Sequence, residues 1–363
     1  MPKYKDRRSA DRRGASLAAT IAAMNNAAAS SPNLPLAATA AGSPERPAGM
    51  GGERSGDTVS RSLDGERIRL HLAAACRGWQ IEVVDATGST NLDLLARLRE
   101  NASHASVAPA APVIRAAMQQ TAGRGQRGRA WQSVPGDSLT FSLAYVMPGG
   151  PAELAGLSLA TGVAVVEGLS DLPLSAPHAL GLKWPNDVLL RGGKLAGILI
   201  ETVPAGPGRI GVVIGIGINL RQAGDVAARI DNAAAAGAPG SAGVATSVIP
   251  ATPPAALESV LPEPDMSSVF VAVVRRLTAM LDRFSEHRFG VFRDDWEAMH
   301  AYGGASIRVI EHGRDLLHGV ALGVDAQGCL RVATDEGERI VASGEVSVRL
   351  LDASGEPGKQ GVW

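Results

Sequence analysis

Apolar positions along the chain fall into two periods, three-to-four and two, and the alternation between them outlines the fold. From Asp64, Ile68 and Leu72 share one face of a helix running to Ala75, with Asp64 as its cap. Gln80–Val84 predicts a strand that ends in Asp85-Ala-Thr-Gly-Ser-Thr-Asn91, a turn dense in hydroxyl and amide groups. Leu92–Leu98 predicts a helix capped by Thr90 or Asn91, and Pro112–Met118 and Ser138–Val146 predict strands on either side of a Gly/Arg loop, Gly123–Arg129. Glu153–Leu169 is apolar nearly all round, as a buried helix is. Short strands are expected at Leu180–Trp184, Val188–Leu190, Leu195–Val203 and Ile210–Ile218, with Arg191-Gly-Gly-Lys194 as a hairpin turn. Phe270, Val273, Leu277, Met280, Leu281 and Phe284 form a stripe on a helix over Val269–Phe284. After Gly303-Gly304 the period shortens to five β segments: Ile307–Glu311, Leu317–Val324, Cys329–Thr334, Arg339–Ala342 and Val346–Leu350. The pattern predicts an α/β (α+β) fold, a mixed sheet with flanking helices followed by a small SH3-like β-barrel.

Two stretches lie outside this patterning. Residues 1–60 are dominated by Ala, Ser, Gly and Pro, too poor in bulky side chains to offset their ordering entropy, and are expected to be a disordered extension. They supply none of the amphipathic helices a helix-turn-helix needs. Ala223–Pro264, again rich in Ala, Gly and Pro, is expected to be a mobile surface insertion. The expected division is therefore an extension (1–60), a catalytic domain (61–302), a β-barrel (303–352) and a tail (353–363).

Composition narrows the chemistry. Lys+Arg number 35 against Asp+Glu 36, a net charge of −1, so no long-range field favours nucleic acid or an anionic membrane. Two distant cysteines, Cys76 and Cys329, give no disulfide framework and no Cys-based zinc site, which fits a reducing cytoplasm. No apolar run is judged long enough to span a bilayer. The basic start Met1–Arg13 lacks the apolar segment of a secretory signal, while an organelle-targeting reading stays open. The histidines show no metal spacing, and neither a nucleophile elbow nor a Walker-type loop occurs.

Three clusters remain. In Gly123-Arg-Gly-Gln-Arg-Gly-Arg129, glycines allow close backbone approach to an anion and arginines offer planar forks. A solvated loop or an RNA-binding Arg-Gly segment is the alternative, although such tracts usually repeat. Lys183, in the apolar strand Leu180–Trp184, is costly to bury unless an anion meets it; a lysine snorkelling at a surface is the alternative. Ile214-Gly-Ile-Gly-Ile-Asn219 puts glycines into a central strand, which implies that a ligand or another backbone comes close. Catalysis by such residues would rest on positioning and charge neutralisation.

Taken in order, Ser89-Thr90-Asn91, Gln120 with Gly123–Arg129 and Trp131, Lys183-Trp-Pro-Asn-Asp187, Lys194-Leu-Ala-Gly-Ile-Leu-Ile-Glu201 and Gly217-Ile-Asn219 resemble the motif series of biotin protein ligases. The likeness runs from about Ile81 to Leu350 and implies the fold of class II synthetase-like biotin/lipoate ligases with an SH3-like barrel. It implies activation of biotin by ATP and Mg²⁺ to biotinyl-5′-AMP, then transfer to a lysine of the biotin carboxyl carrier protein of acetyl-CoA carboxylase. Ser89, Thr90, Asn91, Gln120, Gly125, Gln126 and Trp131 match biotin-binding positions. Arg124 and Lys183 match charge partners of the biotin carboxylate and the α-phosphate, and so are the expected catalytic residues. Arg127, Arg129, Asn186, Asp187, Lys194, Asn219, Glu345 and Arg349 match ATP or adenylate positions, with Asp187 the expected metal ligand. Gln126 stands where the family more often has arginine, which bears on adenylate retention. Family members that are also repressors carry a helix-turn-helix in front, so a ligase without DNA binding is expected here, cytoplasmic, with a homodimer compatible. A lipoate or octanoate ligase or transferase of the same fold is the nearest alternative; a nucleic-acid-binding protein and an inactive binding module are the others.

Overall fold

The computed structural model describes residues 60–103, 111–235, 252–311, 314–342 and 346–351. Most of the expected 1–60 extension, the 353–363 tail and Glu345 lie outside the described residues.

Among the described residues, twelve strands make two sheets. The larger is built from β1 (Gln80–Thr87), β2 (Val113–Gln120), β3 (Ser138–Pro148), β4 (Leu180–Lys183), β5 (Asp187–Leu190), β6 (Gly193–Pro204) and β7 (Arg209–Asn219), in the order β1-β2-β3-β7-β6-β5-β4. β1 and β2 run parallel and the other neighbours antiparallel, so the sheet is mixed as predicted. The hairpin joining β5 to β6 turns on Arg191 and Gly192 alone, with Leu190 facing Gly193; both turn residues have positive φ, 49° and 78°, as a type I′ turn demands.

The sheet separates two layers of helix. α1 (Gly65–Leu72), α3 (Leu157–Ser170) and α5 (Met266–His287) share the main core with Ile210, Val212, Ile214, Ile216 and Ile218 of β7. The opposite face takes α2 (Thr90–Ser103), whose Leu94, Leu95 and Leu98 pack on Val113, Ala144, Val203 and Val213. β7 therefore buries isoleucine and valine on its even positions, while its odd positions, Gly211, Val213, Gly215 and Gly217, face α2 and what lies beyond it. The Ile-Gly-Ile-Gly-Ile pattern is one strand with a crowded face and a bare one. α1 begins at the expected cap, Asp64 Oδ1 accepting from the amides of Glu66 and Arg67 at 3.1 and 3.0 Å.

The smaller sheet follows α4 (Ala223–Ala235), α5 and α6 (Arg293–Ala298). It comprises β8 (Ser306–Glu311), β9 (Arg314–Val324), β10 (Leu330–Thr334), β11 (Gly337–Val341) and β12 (Val346–Leu350), antiparallel in the order β11-β10-β9-β8-β12. Its buried residues, among them Ile307, Val309, Leu330, Val332 and Val348, join the main core. The connector Met299–Ala301 lies along the outer edge of β4, Leu182 N donating to Met299 O (2.7 Å) and Ala301 N to Leu182 O (2.9 Å).

Four expectations need correction. α3 begins at Leu157, not Glu153: Gly156 has φ 74°, and a side chain there would collide with Phe289, so Pro151–Leu154 forms only a short 3₁₀ turn. α2 begins two residues earlier than its apolar stripe suggests, at Thr90. Pro151–Ser170 does reach membrane-spanning length and apolarity, yet α3 buries eleven of its fourteen residues inside the protein. Ala223–Pro264 is not one featureless insertion. It opens with α4, and its far end packs inward, with Thr252, Ala256, Leu257 and Val260 buried.

Candidate functional site

Register draws one row across five strands on the bare face: Lys183 pairs with Asp187, Asp187 with Gly197, Gly197 with Gly217, and Gly217 with Thr140. The next row on that face pairs Leu199 with Gly215 and Gly215 with Ser142. The glycines are needed. A methyl group on Gly217 would overlap the Trp131 indole, one on Gly215 the Asn91 carboxamide, and one on Gly197 would stand 2.9 Å from the same indole. A cavity of about 250 Å³ opens over this floor.

One end of the cavity is neutral and polar. Ser89, Thr90 and Asn91 are buried where β1 hands over to α2. Gln120 Oε1 accepts from the Thr90 amide at 2.8 Å, satisfying a donor at the start of α2, and from Thr90 Oγ1 at 3.2 Å. Thr90 Oγ1 shares a 2.7 Å hydrogen bond with Ser142 Oγ, which donates to Asn91 Oδ1 at 2.6 Å. Asn91 Nδ2 donates in turn to Glu201 Oε2 at 2.9 Å. The Gly/Arg loop folds over this end: Gly125 N donates to Arg129 O (2.7 Å), Trp131 N to Gly123 O (3.0 Å), and Arg124 pairs with Glu201 Oε1 at 3.2 Å.

The other end is charged. Lys183 is only 4% exposed; its Nζ donates to Thr252 Oγ1 at 2.7 Å and to Asp187 Oδ2 at 3.4 Å, with the Tyr302 ring 6.0 Å away. Asp187 sits closer to Lys194, 2.6 Å from Nζ, and Lys194 also lies 5.6 Å over the Trp131 ring. One carboxylate is thus divided between two ammonium groups. Burial, then the neighbouring Arg349 and Lys194, push the Lys183 ammonium down to about 8 even though Asp187 opposes the change. Burial would raise the Asp187 carboxyl, but Lys194 and Lys183 outweigh it and hold it at about 2. The cavity wall carries five cationic side chains, Arg124, Arg129, Lys183, Lys194 and Arg349, against the single carboxylate of Asp187. Such a wall suits a polyanion. Asn219 Oδ1 and Trp131 Nε1, on two residues that border the cavity, are buried with no hydrogen-bond partner.

The smaller sheet completes the wall with Val346–Arg349 of β12. It is latched beside Lys183, Trp184 Nε1 donating to Gly328 O at 3.0 Å. Gly328 is itself seated so closely on α3 that a Cβ would come within 2.9 Å of Gly156 Cα.

Of the residues singled out from the sequence, Ser89, Thr90, Asn91, Gln120, Arg124, Gly125, Gln126, Arg129, Trp131, Lys183, Asn186, Asp187, Lys194, Asn219 and Arg349 all border this one cavity. Arg127 lies in the short turn Gln126–Gly128, its side chain outside what is described, and Glu345 is likewise outside the described residues. Asn186 also braces the floor, its Nδ2 donating to Ile198 O at 2.8 Å. The sequence reading missed Thr252, which lies in an Ala/Pro-rich stretch without periodicity. It also missed Ser142, whose alternation with Leu139, Phe141 and Leu143 was visible but read only as a strand. Glu201 closes its sequence motif without a local signal of its contacts to Asn91 and Arg124.

Residues 94–219 match the biotin/lipoate A/B protein ligase family and residues 302–349 the biotin protein ligase C terminal domain. The biotin–[acetyl-CoA-carboxylase] ligase of Mycobacterium tuberculosis is 35% identical over 295 residues, 80% of this chain and 97% of that protein. Its counterpart in Paracoccus denitrificans is 34% identical over 63% of this chain and 88% of that protein. Among solved structures, the biotin protein ligase of Aquifex aeolicus in complex with biotin and ATP superposes with a TM-score of 0.51 at 26% identity, covering 75% of this chain and 97% of that one. With both domains matched in order and a ligase of known type paralleled along almost its whole length, the chain belongs to the biotin protein ligase family.

Proposed function

We propose that this chain joins biotin to AMP at the expense of ATP and passes the biotinyl group to a lysine of the biotin carboxyl carrier protein of acetyl-CoA carboxylase. The observation that carries this reading is the pairing of a neutral polar pocket with a wall of five cations and one carboxylate. A ureido ring asks for hydroxyl and amide partners, and the Ser89–Asn91 turn with Gln120 offers them. A carboxylate meeting a triphosphate asks for fixed positive charge, and Lys183, Lys194, Arg124, Arg129 and Arg349 offer that.

In the first half-reaction a biotin carboxylate oxygen forms a bond to the α-phosphorus as the bond to the β-phosphate oxygen breaks and pyrophosphate departs. Lys183 neutralises charge at the reacting oxygens, its Nζ fixed from behind by Thr252 and Asp187. The Gly123–Arg129 loop shields the mixed anhydride from water. In the second, the acceptor amine attacks the acyl carbon, AMP leaves, and the amine gives up a proton. Among the described residues no group of three or more His, Cys, Asp or Glu side chains could hold a metal ion. Asp187, the one carboxylate on the described cavity wall, would hold Mg²⁺ together with water and substrate phosphates by giving up part of its contacts with Lys194 and Lys183. When bound, that ion would supply charge neutralisation on the departing phosphates.

The division into a catalytic domain (61–302) and a β-barrel (303–352), and a cytoplasmic location, belong to the same proposal. The test is pyrophosphate release from the purified chain with ATP and Mg²⁺. Release that requires biotin, and is not supported by octanoate or lipoate, is expected; release driven by octanoate or lipoate instead would overturn the assignment in favour of the lipoate side of the family.

A further inference from the structure

Glu201 does not border the cavity, yet it touches both parts that must close around a ligand. One carboxylate oxygen meets Arg124 of the Gly/Arg loop at 3.2 Å and the other accepts from Asn91 of the polar pocket at 2.9 Å. From Asn91 the contacts continue through Ser142 and Thr90 to Gln120 without a gap. The partners differ in freedom. Arg124 stands between Gly123 and Gly125 with its side chain 42% exposed, so little else restricts it. Glu201 is on β6, paired with Val213 of β7 in the large sheet, with its side chain 20% exposed. A guanidinium has five donors in one plane. The ion pair with Glu201 restrains the guanidinium from one side, and the remaining donors of Arg124, a residue that borders the cavity, can serve a ligand there.

We propose that Glu201 is a positioning residue that couples the Gly123–Arg129 loop to the Ser89–Gln120 pocket. It aims Arg124 into the cavity while Asn91 is held in its own network. Filling the pocket and ordering the loop are thereby coupled through one carboxylate, each event favouring the other to the same degree. The inference rests on the reading that the cavity binds biotin, and deepens it.

The test uses the full chain and four variants: Glu201→Gln, Arg124→Lys, Arg124→Ala and the double variant Glu201→Gln/Arg124→Ala, which is read against Arg124→Ala. Biotin affinity is measured by calorimetry, and the rate of tryptic cleavage within 123–129 is followed by mass spectrometry with and without biotin. Glu201→Gln keeps the shape and an acceptor for Asn91 but loses the ion pair. It is expected to weaken biotin binding about fivefold, the scale of a part-exposed charge pair, to raise the biotin KM more than it lowers kcat, and to quicken loop cleavage in the biotin-bound chain. Arg124→Lys, which leaves the strand untouched, should shift affinity in the same direction. In the Arg124→Ala background the glutamate substitution should do nothing further to cleavage. Effects that simply add, or a Glu201→Gln chain that binds biotin as tightly and resists trypsin as well as the parent, would overturn the coupling alone. A parent chain that does not bind biotin at all would overturn the functional reading together with it.

Discussion

Trp184, next in sequence to Lys183, donates its indole N–H to the backbone carbonyl of Gly328, in the turn between β9 and β10 of the other sheet. The bond is buried, since Trp184 is 1% exposed. Together with Met299–Ala301 lying along β4, it fixes the position of the smaller sheet from the strand that carries the buried lysine. Replacing Trp184 by Phe keeps most of the packing and strands the Gly328 carbonyl. A loss of about 1–2 kcal/mol is expected, seen as a lower urea midpoint at unchanged slope.

Lys183→Met preserves a long apolar stem without the ammonium. Asp187 keeps its closer partner Lys194, so the variant should fold. Biotin-dependent pyrophosphate release should fall by about 10²-fold or more, as when one preorganised charge contact is removed from a reacting oxygen. A rate within a few-fold of the parent would take Lys183 out of the chemistry.

Because the ammonium titrates at about 8 in the fold, kcat/KM should decline as pH rises through that value, and Lys183→Met should lose the inflection. Stability moves the other way. The unfolded chain holds this proton up to its ordinary 10.5, more tightly than the fold does, so between about 8 and 10.5 the lysine makes folding more favourable as pH rises. Asp187 acts at the acid end: held at about 2 against an ordinary 3.8, it contributes stability above 3.8 that is lost as pH falls towards 2. Urea titrations of parent and Lys183→Met across pH, compared by difference, check both directions.

Thr252→Val removes the 2.7 Å acceptor of the Lys183 ammonium and leaves the volume nearly unchanged. The charged form loses a hydrogen bond the neutral form needs less, so the kcat/KM inflection should shift to lower pH. An inflection that stays in place would show that Thr252 contributes nothing to holding the charge.

Gly215→Ala should separate binding from folding. The strand conformation accepts alanine, but the methyl group would overlap the Asn91 carboxamide and break its bonds to Ser142 and Glu201. Biotin affinity is expected to drop by about tenfold or more, with a thermal midpoint only a few degrees lower, as from about 1–2 kcal/mol of strain. Calorimetry and a melting curve decide it.

The architecture was legible where one face of an element is uniformly apolar: the alternations of β3 and β7 and the stripe of α5 all correspond to observed elements. So were the motif residues, because glycines inside a strand and a lysine inside an apolar one are both costly unless used. What escaped depended on long-range closure. Nothing local marks Thr252, brought to Lys183 across 69 positions, or the pairing of Glu201 with Asn91 across 110. The start of α3 escaped because Gly156 is set by contact with Phe289, which no window of sequence contains.

β12 is the last strand of the described fold, and it brings Arg349 to a wall whose other charged members come from the larger sheet and the loop between its β2 and β3. A chain cut short before Val346 would keep every strand of the larger sheet and still lack one side of its anion cradle. During synthesis, then, every side chain of the neutral polar pocket is made before the described strand that completes the charged wall.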